Sequence, residues 1–405
     1  MRNETRPKIK TNFIFLGDRW VNTWRRRQQF AYRLAKMPEV NQVIYVELPL
    51  SMTSFLRFLI GQADADASIR WRRVLKRGLI SKIDGIKVVT PISILPIFCY
   101  NKISLFNEWL LTRLTKLLLK RKLSRKETRS SFLILWLSHP FGGEFVGRFS
   151  ESFVCYDCTE KFALYEGWDR KFLEEVRKRD IAIASKADLI LTQTKSHCEE
   201  KQRINPNTYL SPNAVDCDLF ESNSEKFDFS RYGITIKPII GFVGNMSWRI
   251  DYRLLHSLAT THPEWSLVFV SPLSDKSLIK DLKKLPNVYF LGSRSYFNIP
   301  QLIRAFDVCI IPYKNTGVEN SPIKLFDYLA SGKPIVTTRI PGVMDFADVV
   351  YIANSEEDFS KKVEQALNEP PTLAERRLAR ARENSWDVRV KEVWEMIMNK
   401  LDSRI

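Results

Sequence analysis

Nowhere among the 405 residues is there a run of about 20 uncharged apolar side chains, the length a helix needs to cross the hydrocarbon core of a bilayer. A membrane-spanning protein is therefore not expected. The opening segment Met1-Arg2-Asn3-Glu4-Thr5-Arg6 leads into no signal-like apolar core, and a cytoplasmic location is expected. Histidine is scarce: His139, His197, His256 and His262 make no convincing metal cluster along the chain, so neither a metal nor another cofactor is expected. Cys99, Cys155, Cys158, Cys198, Cys217 and Cys309 lack the spacing of a disulfide framework, and the one Cys-x-x-Cys, at 155 to 158, has no second pair. Buried thiols account for them better. The run Gly241-Phe242-Val243-Gly244-Asn245-Met246 lacks the third glycine of a dinucleotide fingerprint, and no Walker A lysine loop exists, which argues against redox and P-loop enzymes. No internal repeat or low-complexity tract occurs.

What is present is a soluble composition, 44% apolar and 27% charged, in a chain long enough for two domains of roughly 200 residues. Charge is unevenly spread. Residues 1 to 130 hold 27 Lys and Arg against 9 Asp and Glu, whereas the remainder holds 36 against 37, so the whole net charge of +17 belongs to the first third. Its partner should be polyanionic, an anionic membrane surface or nucleic acid, and no nucleic-acid module signature appears. Residues 102 to 126 place Ile103, Phe106, Leu110, Leu114 and Leu117 at helical spacing, with Arg113, Lys116, Lys120, Arg121 and Lys122 between or after them. Such a helix can rest on lipid, or it can cover a domain core with a solvated basic face. Residues 53 to 77 repeat the pattern more weakly, with Phe55, Leu56, Phe58, Leu59 and Ile60 followed by a basic run.

Short β-branched runs alternate with helical patterns along most of the chain, which predicts βαβ units and parallel sheets. Strands are expected at 12–16, 42–48, 86–90, 132–137, 152–156 and 188–192, then at 238–243, 266–270, 287–291, 307–311, 334–338 and 349–352. Helices fit at 24–36, 104–121, 169–186, 251–260, 274–284, 299–305 and 322–331, and the chain is helical beyond 355. The expected division is a basic domain at 1–210, a linker at 211–233, a second domain at 234–385 and a terminal helix at 386–405. Ligands in such sheets bind beyond the carboxyl ends of the strands, so the loops Gly17-Asp18-Arg19-Trp20, Ser138-His139-Pro140, Gly244 to Arg249 and Pro312 to Ser321 are the candidates.

The last of these loops runs into Ser321-Pro322-Ile323-Lys324-Leu325-Phe326-Asp327-Tyr328-Leu329-Ala330-Ser331-Gly332-Lys333-Pro334. Ser321 suits an N-cap, Pro322 a first helical position, Gly332 the residue past the end, and Pro334 a stop. The free amides of a helix starting at Pro322 attract anions, and Lys324 adds a full charge. Glu319 and Asp327 add acceptors for sugar or ribose hydroxyls. Lys324 and Asp327 are also placed for an ordinary ion pair along one helix face.

These elements in order resemble those of GT-B glycosyltransferases, most closely the retaining family 4 group that builds bacterial cell-surface glycans, including teichuronic-acid-type enzymes. Glu319 and Asp327, with seven residues between them, match the E-x7-E pair of that family, the second acid shortened to Asp. Ser211-Pro212-Asn213-Ala214-Val215-Asp216 resembles its P-N-G-V-D segment, Leu329 to Val336 its A-x-G-x-P-V run, and Trp24-Arg25-Arg26-Arg27-Gln28-Gln29 and Tyr156-Asp157 the teichuronic-acid type.

The resemblance implies an α/β fold of two Rossmann-like domains facing a cleft, with C-terminal helices crossing back. It implies transfer of a sugar from a nucleotide diphosphate to a glycan or lipid-linked acceptor, with retention and without metal, by a peripheral enzyme on the inner face of the membrane. Arg249 and Lys324 would hold the diphosphate, Asp327 the ribose and Glu319 the donor sugar, within a donor site of Gly244, Asn245, Ser247, Asn320, Ser321, Pro322 and Ile323. His139 would approach the sugar near the reacting carbon, or cap its own loop. Asp251 would orient Arg249. Gly17, Asp18, Trp20, Trp24 and Arg26 would lie on the acceptor side, although buried tryptophans explain the aromatic pair equally well. A nucleotide-sugar 2-epimerase and a non-catalytic binding subunit share the fold and remain alternatives.

Overall fold

The computed structural model describes residues 10–21, 24–93, 113, 131–159, 170–222, 225–272, 277, 279–314 and 321–404. Glu319 and Asn320, and the basic segment 102–126 apart from Arg113, lie outside the described residues. Two compact units emerge: residues 1–211 with 392–405, and residues 212–391.

The first unit is built on β1 (Lys10–Leu16), β2 (Val40–Val46), β4 (Ile80–Ile83), β5 (Ile86–Val89), β7 (Ser131–Leu137), β8 (Phe153–Asp157), β9 (Leu189–Thr192) and β10 (Thr208–Leu210). Their order across the sheet is β10-β9-β8-β7-β1-β2-β5-β4, parallel except for the last pair. The short β3 (Leu50–Ser51) and β6 (Ile92–Ser93) pair beside it. Strand β8 is buried along its whole length, as expected of a parallel sheet covered on both faces. Ile14, Leu135, Tyr156 and Ile190 lead one core cluster. On the sheet, Trp136 stacks with Phe15 at 5.0 Å and meets Phe30 of α1 (Arg26–Lys36) at 4.9 Å. The edge strand β4 was not anticipated. It returns through Asp84-Gly85, both at positive φ (48° and 84°), the turn chemistry that a two-residue hairpin demands.

The second unit carries β11 (Ile239–Val243), β12 (Ser266–Val270), β13 (Val288–Phe290), β14 (Val308–Ile311), β15 (Ile335–Thr338) and β16 (Tyr351–Ala353). All pair in parallel, in the order β13-β12-β11-β14-β15-β16. Its core gathers Phe242, Phe269, Ile310 and Val336 with Leu255 and Leu258 of the helix Tyr252–Thr261. Gly241 is required by packing, because a Cβ there would lie 2.1 Å from the Phe306 ring. Within 274–284, expected as a helix, the described residues form only turns and a 3-10 segment, Leu282–Lys284. Leu285-Pro286 follows at once, and the residue before a proline is pushed out of the helical region, so the segment cannot continue.

The segment 211–233, expected as a linker, is packed structure. It holds the helix Cys217–Glu221 and a 3-10 turn at Phe229–Tyr232, with Phe220 and Phe229 buried. The terminal helix runs Trp386–Asp402, and its last residues belong to the first unit, where Trp394 meets Phe13 and Lys400 Nζ donates to Asn207 at 2.6 Å.

Candidate active site

In the second unit the site starts where β11 ends. Gly244 has φ +136°, a conformation L-residues rarely adopt, and a Cβ there would lie 2.8 Å from Lys324 Cε and 3.1 Å from Nζ. The ammonium therefore rests directly on this backbone. Lys324 Nζ donates to Tyr313 Oη, lies 4.6 Å from the Tyr313 ring and 5.0 Å from that of Phe242, and makes no ion pair among the described residues. The surface pairing of Lys324 with Asp327 that their spacing permits is not formed. A cation held by a phenol and two aromatic faces, with no carboxylate paired to it among the described residues, is suited to an anion.

The helix that carries Lys324 runs Ile323–Ser331 and ends at Gly332 in the left-handed conformation, as its sequence demands. Its start differs from expectation. Pro322 stands at the cap and the helix begins at Ile323, because the Ser321 hydroxyl is engaged elsewhere: it accepts from Asn213 N–H at 3.3 Å, while Asn213 Nδ2 donates to Ser321 O at 2.5 Å. Ser321 is thus a brace, and no side chain caps the first amides of the helix. Those amides retain their attraction for an anion. Tyr328, one turn after Lys324, fixes the helix to the sheet, its hydroxyl accepting from Val243 N–H at 2.9 Å at the end of β11.

Arg249 reaches the same neighbourhood through the backbone. The loop after Gly244 is pinned by Met246 N–H on Ser271 Oγ at 3.0 Å, by Arg249 N–H on Ser247 Oγ at 3.4 Å and by Tyr252 Oη on Ser247 O at 3.2 Å. Ile250 bridges Tyr313, Lys314 N–H donates to Arg249 O at 2.8 Å, and Asp251 N–H donates to Pro312 O at 2.8 Å. Tyr313, whose hydroxyl takes Lys324, thus also pairs through its backbone with Ile250, the residue after Arg249. The Arg249 guanidinium lies 5.5 Å over Trp248, Asn245 is exposed, and Asp251 caps its helix by accepting from Leu254 N–H at 3.1 Å.

Asp327 is buried, and its Oδ1 has no hydrogen-bond partner among the described residues. Burial first, and then the nearby Asp216 carboxylate, push its carboxyl up to about 7 against the opposing pull of Lys324. An unsatisfied buried carboxyl costs about 1–3 kcal/mol unless something donates to it, and a hydroxyl of a bound ligand would.

In the first unit the expected acceptor-side residues are mostly occupied by the fold itself. Trp20 is 5% exposed, packs edge-on to Tyr45 at 4.8 Å and donates its backbone N–H to Glu47 at 2.5 Å, so it offers no platform to a sugar ring. Arg26 is 4% exposed and grips Asp157 at 2.9 and 3.1 Å and Ser211 Oγ at 2.9 Å, bracing the ends of β8 and β10. Both are corrections with one physical cause, burial against partners that the spacing of residues in the chain did not reveal. Trp24 is half-buried, edge-on to Tyr32 at 5.0 Å. Gly17 passes so close to Tyr45 that a Cβ would lie 2.3 Å from its hydroxyl.

Asp18 pairs with Arg27 and, at 3.6 Å, with Arg25; burial pushes its carboxyl up, but Arg27, Arg25 and His139 together hold it below the usual range. His139 accepts from Phe141 N–H at 3.3 Å through Nδ1 and stacks on the Phe141 ring at 5.0 Å. Burial, then Arg27, bring its pKa down to about 4 despite Asp18 and Asp180. At neutral pH the ring is therefore uncharged, with its proton on Nε2.

Tyr313 and Tyr328 are site residues that sequence reasoning did not single out, and Asn213 was noted only within the segment resembling P-N-G-V-D, with no role at the site. Tyr328 also carried a local signal, four residues after Lys324 and thus on the same helix face. Among the described residues no group of three His, Cys, Asp or Glu is placed to hold a metal, and no helix is long and apolar enough to cross a membrane.

With this geometry in view, comparison with known proteins is informative. Residues 237–369 match the family described as Glycosyl transferases group 1. A Bacillus subtilis protein assigned to teichuronic acid biosynthesis as the glycosyltransferase TuaH is 26% identical over 282 residues, covering 64% of this chain and 70% of its own. The fold is shared with sucrose-phosphate synthase from Thermosynechococcus elongatus (TM-score 0.71, 13% identity, 97% of this chain and 100% of that one). It is also shared with Anabaena HepE solved with UDP and glucose (TM-score 0.65, 13% identity, 96% and 100%).

Proposed function

Proceeding from a chain that is a glycosyltransferase of GT-B fold with a group 1 domain at residues 237–369, we propose that it moves a sugar from a nucleotide-diphosphate donor to a glycan or lipid-linked acceptor, with retention, in cell-surface polysaccharide biosynthesis. The observation that carries the proposal is the Lys324 ammonium, held against Gly244 by Tyr313 and Phe242 without a carboxylate partner among the described residues. Lys324, the uncapped amides at Ile323 and Lys324, and Arg249 receive the diphosphate, where negative charge grows as the bond to the sugar breaks. Asp327 accepts from ribose hydroxyls. Glu319, outside the described residues, keeps the donor-sugar role that the family resemblance implies, and so does His139, whose neutral ring contributes an Nε2–H donor and no charge.

In the proposed step the anomeric carbon loses its bond to the β-phosphate oxygen and gains one to the acceptor oxygen on the same face. The departing phosphate oxygen takes the acceptor's proton. This scheme uses no protein nucleophile, unlike retaining hydrolases with their paired carboxylates, and its cations are supplied by the protein, so it calls for no metal. The enzyme would work as a peripheral protein on the inner face of the membrane, where lipid-linked acceptors are found.

The test is incubation with a panel of nucleotide sugars and membrane extract, which separates transfer from epimerisation and from inert binding. Lys324→Ala should lower donor turnover at least tenfold, equivalent to about 1.4 kcal/mol of transition-state stabilisation. Unchanged turnover would remove Lys324 from the reaction.

A further inference from the structure

Helix α2 (Met52–Leu59) is held on one side only. Phe55 and Phe58 turn toward α3 (Ala65–Arg77), where Phe55 meets Trp71 at 4.6 Å and Trp71 Nε1 donates to Ser54 Oγ at 2.9 Å. On the other side Met52, Leu56, Leu59 and Ile60 recur at one-face helical spacing and are exposed by 40, 61, 62 and 66%. Leu75 of α3, one turn beyond Trp71, is exposed by 62%. The four most exposed large apolar side chains among the described residues, Ile60, Leu59, Leu75 and Leu56, all belong to this helix pair. Scattered apolar residues at a surface are ordinary, but a clustered set is the mark of an interface.

The unpaired charges around it have one sign. Asp64 and Asp66, the only acids in 52–77, lie within 3.8 and 3.3 Å of Arg19, while Arg70 and Arg73 are committed to Glu47 at 3.4 and 2.5 Å. Arg57, Arg72, Lys76 and Arg77 remain exposed and form no ion pair among the described residues. We propose that the α2–α3 pair docks on an anionic lipid bilayer, the apolar side chains of α2 entering the head-group boundary and the free cations meeting lipid phosphates. A second copy of this chain is the poorer occupant, since a symmetric contact would set these cations against themselves. The inference concerns a surface of the first unit and does not rest on the transfer reaction, so either can fail alone.

The test is flotation of the purified full chain with vesicles of phosphatidylglycerol and phosphatidylcholine, beside vesicles of phosphatidylcholine alone. The chain should float with the anionic vesicles and not with the neutral ones. The set Leu56→Glu, Leu59→Glu, Ile60→Glu and the separate set Arg72→Glu, Lys76→Glu should each weaken partitioning about tenfold or more. Circular dichroism and nucleoside-diphosphate binding should be unchanged in both, and the second set keeps the test decisive if the first does not fold. No flotation of the unaltered chain, equal flotation on neutral vesicles, or undiminished flotation of a folded variant would overturn the proposal. So would self-association in sedimentation that the same substitutions abolish, without vesicle uptake.

Discussion

The buried arginines of the first unit and Lys324 of the second are used in opposite ways. In the first, Arg26 is closed onto Asp157, Arg27 onto Asp18, and Arg70 and Arg73 onto Glu47, with Asp157 and Glu47 fully buried. In the second, Lys324 is steadied by aromatic groups and left without an acid among the described residues. Arginines that complete their own ion pairs hold the strand ends together, whereas a cation given no acid among the described residues is available to an anion that arrives. The arginine run at 25 to 27 and the single lysine at 324 look alike as charges. Their neighbours decide which is structure and which is site.

The comparison breaks most visibly at Arg26. Arg26→Ala leaves the Asp157 carboxylate buried and unpaired, so unfolding in urea should show a loss of about 3–5 kcal/mol, with nucleoside-diphosphate binding by the folded protein unaltered. A variant as stable as the parent would mean that the pair holds nothing. A smaller effect is expected at Gly244→Ala, where the methyl group must displace Lys324 and the backbone must keep φ +136°. We expect about 1–3 kcal/mol of lost stability together with weaker diphosphate binding, the second being the sharper reading.

A third effect concerns Asp327 and depends on pH. The folded, ligand-free chain keeps this proton up to about 7, against 3.8 ordinarily, so the stability the group contributes is complete below 3.8 and is lost as pH rises toward 7. Asp327→Asn should therefore be more stable than the parent at about pH 8, by up to about 4 kcal/mol, and gain nothing at about pH 3.5. Donor affinity runs the other way. It should decline in the parent as pH falls below about 7, because only the ionised carboxylate accepts from both ribose hydroxyls, and it should be flat and weak in the variant. Equal pH profiles would detach Asp327 from the ligand.

Much of this fold was legible because parallel strands buried on both faces, such as 152–156 and 266–270, read as unbroken apolar runs bounded by turns. The hairpin strand Ile80–Ile83 escaped because its partner was read alone, although Asp84-Gly85 advertised the turn. At the site, the Gly244 loop, Lys324 and Asp327 were legible from local chemistry. Ser321 was misassigned because its hydroxyl answers to Asn213, 108 residues away, and Arg26 because its acid is 131 residues away. Tyr313 was invisible for the same reason: no local pattern says that a phenol will meet a lysine across a loop.

The central claim, that a cation set aside by the fold awaits a diphosphate, is met most directly by calorimetric titration of nucleoside diphosphates and of the corresponding nucleosides into the parent, Lys324→Ala and Arg249→Ala proteins. Each substitution should weaken the diphosphate about tenfold or more, as the loss of a charge-assisted contact would, and leave nucleoside affinity unchanged. Diphosphate binding that is indifferent to both substitutions in folded protein would contradict the account.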